Sequence, residues 1–232
     1  MSDRSPARKR KKPAQKRAAS APAARSAQRV VETPKPKREI PVVGITFGLI
    51  AVALVAAVLL TGNTGVASEA GEPTFEGEWL PIYASTDGDP AVGLPAPKIM
   101  GTDYDGNEVV FEPDGTPTAV VFLAHWCPHC QVEVPKVQAW LDAGGGVAGV
   151  QILSVTTSIN SARDNYPPSE WLEREGWTSP VIRDDTDNTI HTAFGAGGFP
   201  YWVFLNGDGT VAARTTGELE IATLEQFMLS LK

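Results

Sequence analysis

The chain's two cysteines stand as Cys127-Pro128-His129-Cys130, directly after Trp126. The run before them, Thr118 to Ala124 (TAVVFLA), is apolar and β-branched throughout, as expected of a central strand buried on both faces. After them, Val132, Val134, Val137, Trp140 and Leu141 recur at helical spacing as far as Asp142, with Pro135 inside and Gly144-Gly145-Gly146 beyond. The spacing therefore predicts a dithiol where a strand ends and a helix, kinked at Pro135, begins. Unpaired N–H groups and partial positive charge at a helix start favour a thiolate at Cys127, making it the attacking sulfur. Cys130 lies one turn deeper and is expected to be the more buried, resolving sulfur. Pro128 fits a first helical turn without losing a hydrogen bond, and His129 brings an ionisable imidazole beside Cys127, so both tune the thiol. The chemistry implied is thiol-disulfide exchange through a redox-active Cys127–Cys130 disulfide, with no other cofactor.

Other uses of the pair are weaker. A structural staple closing so short a loop removes little chain entropy. A zinc site needs two further ligands from His125, His129, His191 or carboxylates, and a second Cys-x-x-Cys is absent; no metal site is assigned. Gln131 follows Cys130, which excludes covalent haem attachment. A module that holds or delivers copper(I) through Cys127, Cys130 and a histidine stands as the non-enzymatic alternative. A peroxiredoxin-type peroxidase fails because Ala124 occupies the place where its attacking cysteine needs Thr or Ser.

The elements around this motif predict an α/β fold. Asp105-Gly106 signals a hairpin leading into a strand at Val109 to Phe111. Val150 to Thr156 reads as a second buried strand, Ser169 as the cap of a short helix through Glu175, and Pro180 to Arg183 as a brief strand. Tyr201 to Leu205 and Val211 to Thr215 flank Asn206-Gly207-Asp208-Gly209 as a β-hairpin. Leu224, Phe227, Met228 and Leu231 share one face of a closing helix over Ile221 to Leu231. Strand, helix, strand, helix, hairpin and helix make a sandwich with a mixed central sheet.

Charge divides the chain. The first 39 residues hold 13 of the 20 Lys and Arg but 3 of the 27 Asp and Glu, leaving 7 and 24 for the remainder. Residues 1–39, rich in Ala, Pro and Ser, are expected to be a disordered basic tail. Its Arg8-Lys9-Arg10-Lys11-Lys12 run lacks the interleaved aromatics of a nucleic-acid binder, so no nucleic-acid partner is expected. No charged residue occurs between Glu39 and Glu69. Residues 40–61 read as a transmembrane helix, since twenty residues at about 1.5 Å each match the roughly 30 Å hydrocarbon core. A cleaved signal peptide is the other reading, although the basic leader is long for one. Either way the basic tail stays cytoplasmic and the acidic part is exported. Residues 62–78, with Gly62, Gly65, Gly71, Pro73 and Gly77, are expected to be a linker, and residues 79–232 an extracytoplasmic domain in a compartment that permits disulfides.

Trp126-Cys127-Pro128-His129-Cys130-Gln131-Val132-Glu133-Val134-Pro135 resembles the W-C-x-x-C-x-x-E-x-P signature of TlpA/ResA-type thioredoxin-like proteins. Gly93-Leu94-Pro95-Ala96-Pro97 with Asp105-Gly106 is similar to that family's leading hairpin, and Gly198-Phe199-Pro200-Tyr201 to its cis-proline loop; the likeness spans about residues 80–232. The resemblance implies a thioredoxin fold, a cis Phe199-Pro200 peptide facing Cys127 where an extended client segment docks, and a buried Glu133 relaying protons to Cys130. It also implies exported protein thiols or disulfides as clients and a membrane redox partner. Thioredoxin's buried Asp corresponds to Val121 here. Pro128-His129 is shared with DsbA-type oxidants, pointing to disulfide donation, while the scaffold also suits reduction of cytochrome c precursors.

Overall fold

The computed structural model describes residues 69–232. The expected basic tail at 1–39, the apolar span at 40–61 and the start of the expected linker lie outside the described residues. Among the described residues no helix is long and apolar enough to cross a membrane.

A five-stranded sheet carries the site. It is built from β4 (Thr118–Leu123), β5 (Gln151–Thr156), β6 (Val181–Arg183), β7 (Tyr201–Leu205) and β8 (Val211–Thr216), in the order β6-β5-β4-β7-β8. β4 runs parallel to β5 and antiparallel to β7, so the sheet is mixed as expected. All six residues of β4 are buried. Its unbroken apolar run hides a period of two: Val120 and Phe122 enter one hydrophobic cluster, while Ala119, Val121 and Leu123 enter the other.

Helices cover both faces. α1 (Pro128–Asp142), α2 (Pro168–Arg174) and α4 (Ile221–Leu229) send Val134, Val137, Trp171, Leu172, Leu224 and Met228 into one cluster. The five-residue α3 (Thr189–Ala193) packs Ile190 and Ala193 into the other. α1 continues past Pro135 and stops in a Schellman turn: Gly145 N–H donates to the Trp140 carbonyl at 2.9 Å and Gly144 N–H to that of Leu141 at 3.0 Å. Gly144, at φ 81°, supplies the left-handed residue this turn requires. Val132, expected on the inner face, is exposed because residues 130, 134 and 137 already define that face at a 3.6 period.

Two expected boundaries shift. Ser169 is not the cap of α2, which starts at Pro168; the Ser169 N–H instead donates to the Glu69 carboxylate at 3.1 Å. Residues 69–76, within the expected linker, hydrogen-bond to the rest of the domain. Within them β1 (Thr74–Glu76) pairs antiparallel with β2 (Lys98–Thr102), which pairs with β3 (Glu108–Phe111), and Gly71 N–H donates to the Asp184 carbonyl at 2.9 Å. Three residues set between glycines and prolines are too short a run to show strand periodicity, so the pairing is specified by β2 and not by local sequence.

Candidate functional site

The site forms where β4 hands over to α1. Cys127 is the N-cap of that helix, at φ −77° and ψ 121°, and Pro128 is its first residue. Both cysteines are free thiols here; Cys127 is 6% exposed and Cys130 is fully buried. Their proton affinities diverge accordingly. A hydrogen bond from the Cys130 thiol lowers the pKa of Cys127 to about 6; burial opposes this, and the backbone N–H groups of Cys130 and His129 and the charge of His129 assist it. For Cys130, burial pushes the thiol far up, and its donation to Cys127 and the charges of Cys127 and Glu133 push the same way. One sulfur is thus held ready as a thiolate and the other kept as a thiol.

His129 is exposed, and its Nδ1 lies 2.7 Å from Glu218 Oε1. That hydrogen bond, with the charges of Glu218 and the Cys127 thiolate, raises the imidazole's pKa and keeps it an imidazolium beside Cys127 to higher pH. Glu218 was not foreseen. It follows Gly217 at the end of β8, 89 residues from its partner, and nothing in the local sequence marks it.

The expected proline loop is in place. The Phe199–Pro200 peptide is cis, and the Phe199 carbonyl lies 3.7 Å from Cys127 Sγ. The Pro200 carbonyl is held by Thr216 Oγ1 at 3.1 Å and by Gly217 N–H at 2.9 Å. Gly198 is required just before it, because a Cβ there would sit 2.8 Å from Thr216 Oγ1.

Glu133 is 1% exposed. Its carboxylate accepts from Trp202 Nε1 at 3.0 Å and from Leu219 N–H at 3.2 Å, and pairs with Lys136 Nζ at 2.7 Å. Trp202 and Leu219 thereby tie α1 to β7 and to the turn entering α4, while Lys136 pairs within α1 itself. Val121, in the place of thioredoxin's Asp, is wholly buried among apolar neighbours.

The two residues before Cys127 pin the loop between β5 and α2. His125 is buried; its Nδ1 lies 2.8 Å from the Asp164 carbonyl and its Nε2 3.2 Å from Asn160 N–H. A carbonyl only accepts and a backbone N–H only donates, so the ring is the neutral Nδ1–H tautomer, and burial lowers its pKa in the same sense. Neither nitrogen is left for a metal. Trp126 Nε1 donates to the Ser158 carbonyl at 2.7 Å, and its ring meets Phe199 edge-on with centroids 6.0 Å apart. Among the described residues no group of three His, Cys, Asp or Glu is arranged to hold a metal ion.

Known proteins resemble this chain to different extents. The chain is 30% identical over 118 residues to the thiol:disulfide interchange protein TxlA homolog of Synechocystis sp., a stretch covering 51% of each chain. It is 26% identical over 106 residues to sporulation thiol-disulfide oxidoreductase A of Bacillus subtilis, covering 46% of this chain and 62% of that one. The chain thus spans only about half to three-fifths of the curated relatives it matches. Among solved structures, a thiol:disulfide interchange protein DsbE from Chlorobium tepidum superposes with a TM-score of 0.50 at 20% identity, covering 63% of this chain and 98% of that one. That likeness concerns the fold alone, which is thioredoxin-like. The AhpC/TSA family model matches residues 92–214, from the approach to β2 through both cysteines and Pro200 into β8. Because that stretch is more than half of the 232 residues, the chain belongs to the AhpC/TSA family.

Proposed function

We propose that this protein is a thiol-disulfide oxidoreductase of the TlpA/ResA type, held at a membrane by residues 40–61 and donating disulfides to exported proteins through Cys127 and Cys130. The observation that carries the reading is the divided pair: Cys127 ionises at about 6 while burial drives Cys130 the other way. The names of the relatives, an interchange protein and an oxidoreductase, support the same chemistry.

The oxidising cycle follows from that division. A client thiolate attacks Cys127 Sγ of the Cys127–Cys130 disulfide; a client–Cys127 disulfide forms, and Cys130 leaves and takes a proton. A second client thiolate then attacks the client's own sulfur and expels Cys127 as a thiolate. The client loses two electrons and gains a disulfide, and the protein is left as the dithiol. The low pKa of Cys127 makes it a good leaving group in this last step and stabilises the reduced protein, which makes the disulfide the more oxidising. A membrane redox partner is required to withdraw the two electrons. Phe199 and Pro200 line the place where the client's backbone lies against Cys127, and Trp126, Pro128 and His129 tune the thiolate. Glu133, by its charge, keeps the Cys130 sulfur protonated until exchange calls for it.

The test is the Cys130→Ser variant of the full chain. It should accumulate client adducts through Cys127 that migrate as mixed disulfides on non-reducing gels. A copper module would lose its ion and form no adducts, and that outcome would sink the enzyme reading. The direction is read separately from the reduction potential of the pair: a value near that of DsbA, about −120 mV, supports the oxidant, and one near thioredoxin's, about −270 mV, the reductase alternative. A peroxidase finds no hydroxyl at Ala124.

A further inference from the structure

Residues 69–232 carry 7 Lys or Arg against 24 Asp or Glu, so a cation in this domain is expected to find a carboxylate. Lys98, Lys136, Arg174 and Arg214 do, pairing with Glu112, Glu133, Glu175 and Asp89. Arg183 bonds Thr102 Oγ1 at 2.6 Å, and the main-chain N–H of the exposed Lys232 donates to Asn206 Oδ1. Arg163 differs. It is exposed, forms no ion pair among the described residues, and holds its guanidinium 4.9 Å from the centre of the Trp126 ring.

This position is constructed. Arg163 lies in the loop that His125 and Trp126 pin through Ser158, Asn160 and Asp164, and its own N–H donates to the Asn160 carbonyl at 3.1 Å. Arg174 fastens the far side of the loop through Asn165 Oδ1 at 2.7 Å. The guanidinium lies against Trp126, Trp126 meets Phe199 edge-on, and the Phe199 carbonyl lies 3.7 Å from Cys127 Sγ. The residues immediately before the first cysteine therefore hold a cation over the ring of Trp126, the residue next to Cys127 in the chain.

We propose that Arg163 selects clients bearing Asp or Glu within a few residues of the reacting cysteine. The proposal rests on the oxidoreductase reading and names the substrate class for the same site. A guanidinium stacked on an aromatic ring keeps its donors free at the edge and already oriented, so an arriving carboxylate can be held in bidentate fashion with little ordering cost. The acidic domain as a whole repels acidic clients, so a preference for them must come from this local charge.

The experiment uses the oxidised full chain and two reduced peptides, each with two cysteines, identical except for Asp or Lys two residues from the first. Each peptide gives two electrons to the Cys127–Cys130 disulfide and becomes the cyclic disulfide, and the second-order rate constant is measured at low ionic strength. The Asp-to-Lys rate ratio should fall by about two- to fivefold in Arg163→Ala, the span expected of a solvent-exposed ion pair, and further in Arg163→Glu. Arg163→Lys should retain part of it, and added salt should shrink the difference between the unsubstituted chain and Arg163→Ala. An unchanged ratio across these variants would overturn the proposal, including the case in which all rates move together because Arg163 merely shields Trp126. Failure of the unsubstituted chain to oxidise either peptide would instead bring down the oxidoreductase reading, and this proposal with it.

Discussion

Cys127 shows how neighbours outweigh burial. At 6% exposure an isolated thiol would ionise less readily than in water, yet its pKa falls to about 6 because Cys130 donates to it and backbone N–H groups converge on it. The sign for pH follows: a depressed thiol stabilises the reduced fold fully above the unfolded value of about 8.5 and loses that contribution as pH falls through about 6. Alkylation by iodoacetamide should therefore show a midpoint near 6 in the reduced protein. The causes rank the variants. Cys130→Ala removes the leading hydrogen bond and should move the midpoint up the most, Cys130→Ser retains a donor and should move it less, and His129→Ala, which removes only the last contribution, should raise it least. A midpoint that stays at the ordinary cysteine value in the unsubstituted chain would remove the division of labour between the two sulfurs.

At the scale of elements, the N-terminal segment belongs to the domain. β1 satisfies the edge of β2, Glu69 caps the Ser169 N–H, and Gly71 reaches Asp184. A chain starting at Trp79 should then lose about 1–3 kcal/mol in urea unfolding relative to one starting at Glu69, the span of a few lost hydrogen bonds and one exposed edge. Equal stability would restore these residues to the status of a spacer. The same comparison explains what could be read from sequence. β4, the helix start at Pro128, the hairpin at Asn206-Gly207 and the helix end at Gly144 are specified by local residues and were legible. Cys127, Cys130, Glu133 and Pro200 could be gathered because motif spacing fixes them. Glu218 against His129, Arg163 against Trp126 and Trp202 on Glu133 depend on segments that only the folded sheet brings together. Asp89 and Arg214, buried partners 125 residues apart, are the extreme case. Burial opposes ionisation of Asp89, but the hydrogen bonds from Arg214 and Ala91 N–H and the Arg214 charge hold its carboxyl below the usual range. No periodicity or spacing encodes such a pair.

For the whole molecule the governing quantity is the separation of charge along the chain. Thirteen of the 20 basic residues precede an uncharged stretch, and 24 of the 27 acidic ones follow it. Basic flanks are retained on the cytoplasmic side of an inserting segment whereas acidic residues impose little barrier, so under the proposed tether this order would direct the thioredoxin-like domain outward. The same proposed placement would put the divided thiols where disulfides persist. Two outcomes separate an anchor from a cleaved leader. An anchored chain stays in the membrane fraction through an alkaline wash, and protease added to spheroplasts digests the domain while an epitope fused to the basic tail survives. Deleting residues 40–61 should then leave the protein in the cytoplasm with Cys127 and Cys130 reduced, since the reducing pool there outcompetes a disulfide built to be given away. If the mature protein instead washes off and begins after residue 61, the export direction stands but the tether falls. The client encounter would then take place in solution, not near the membrane surface.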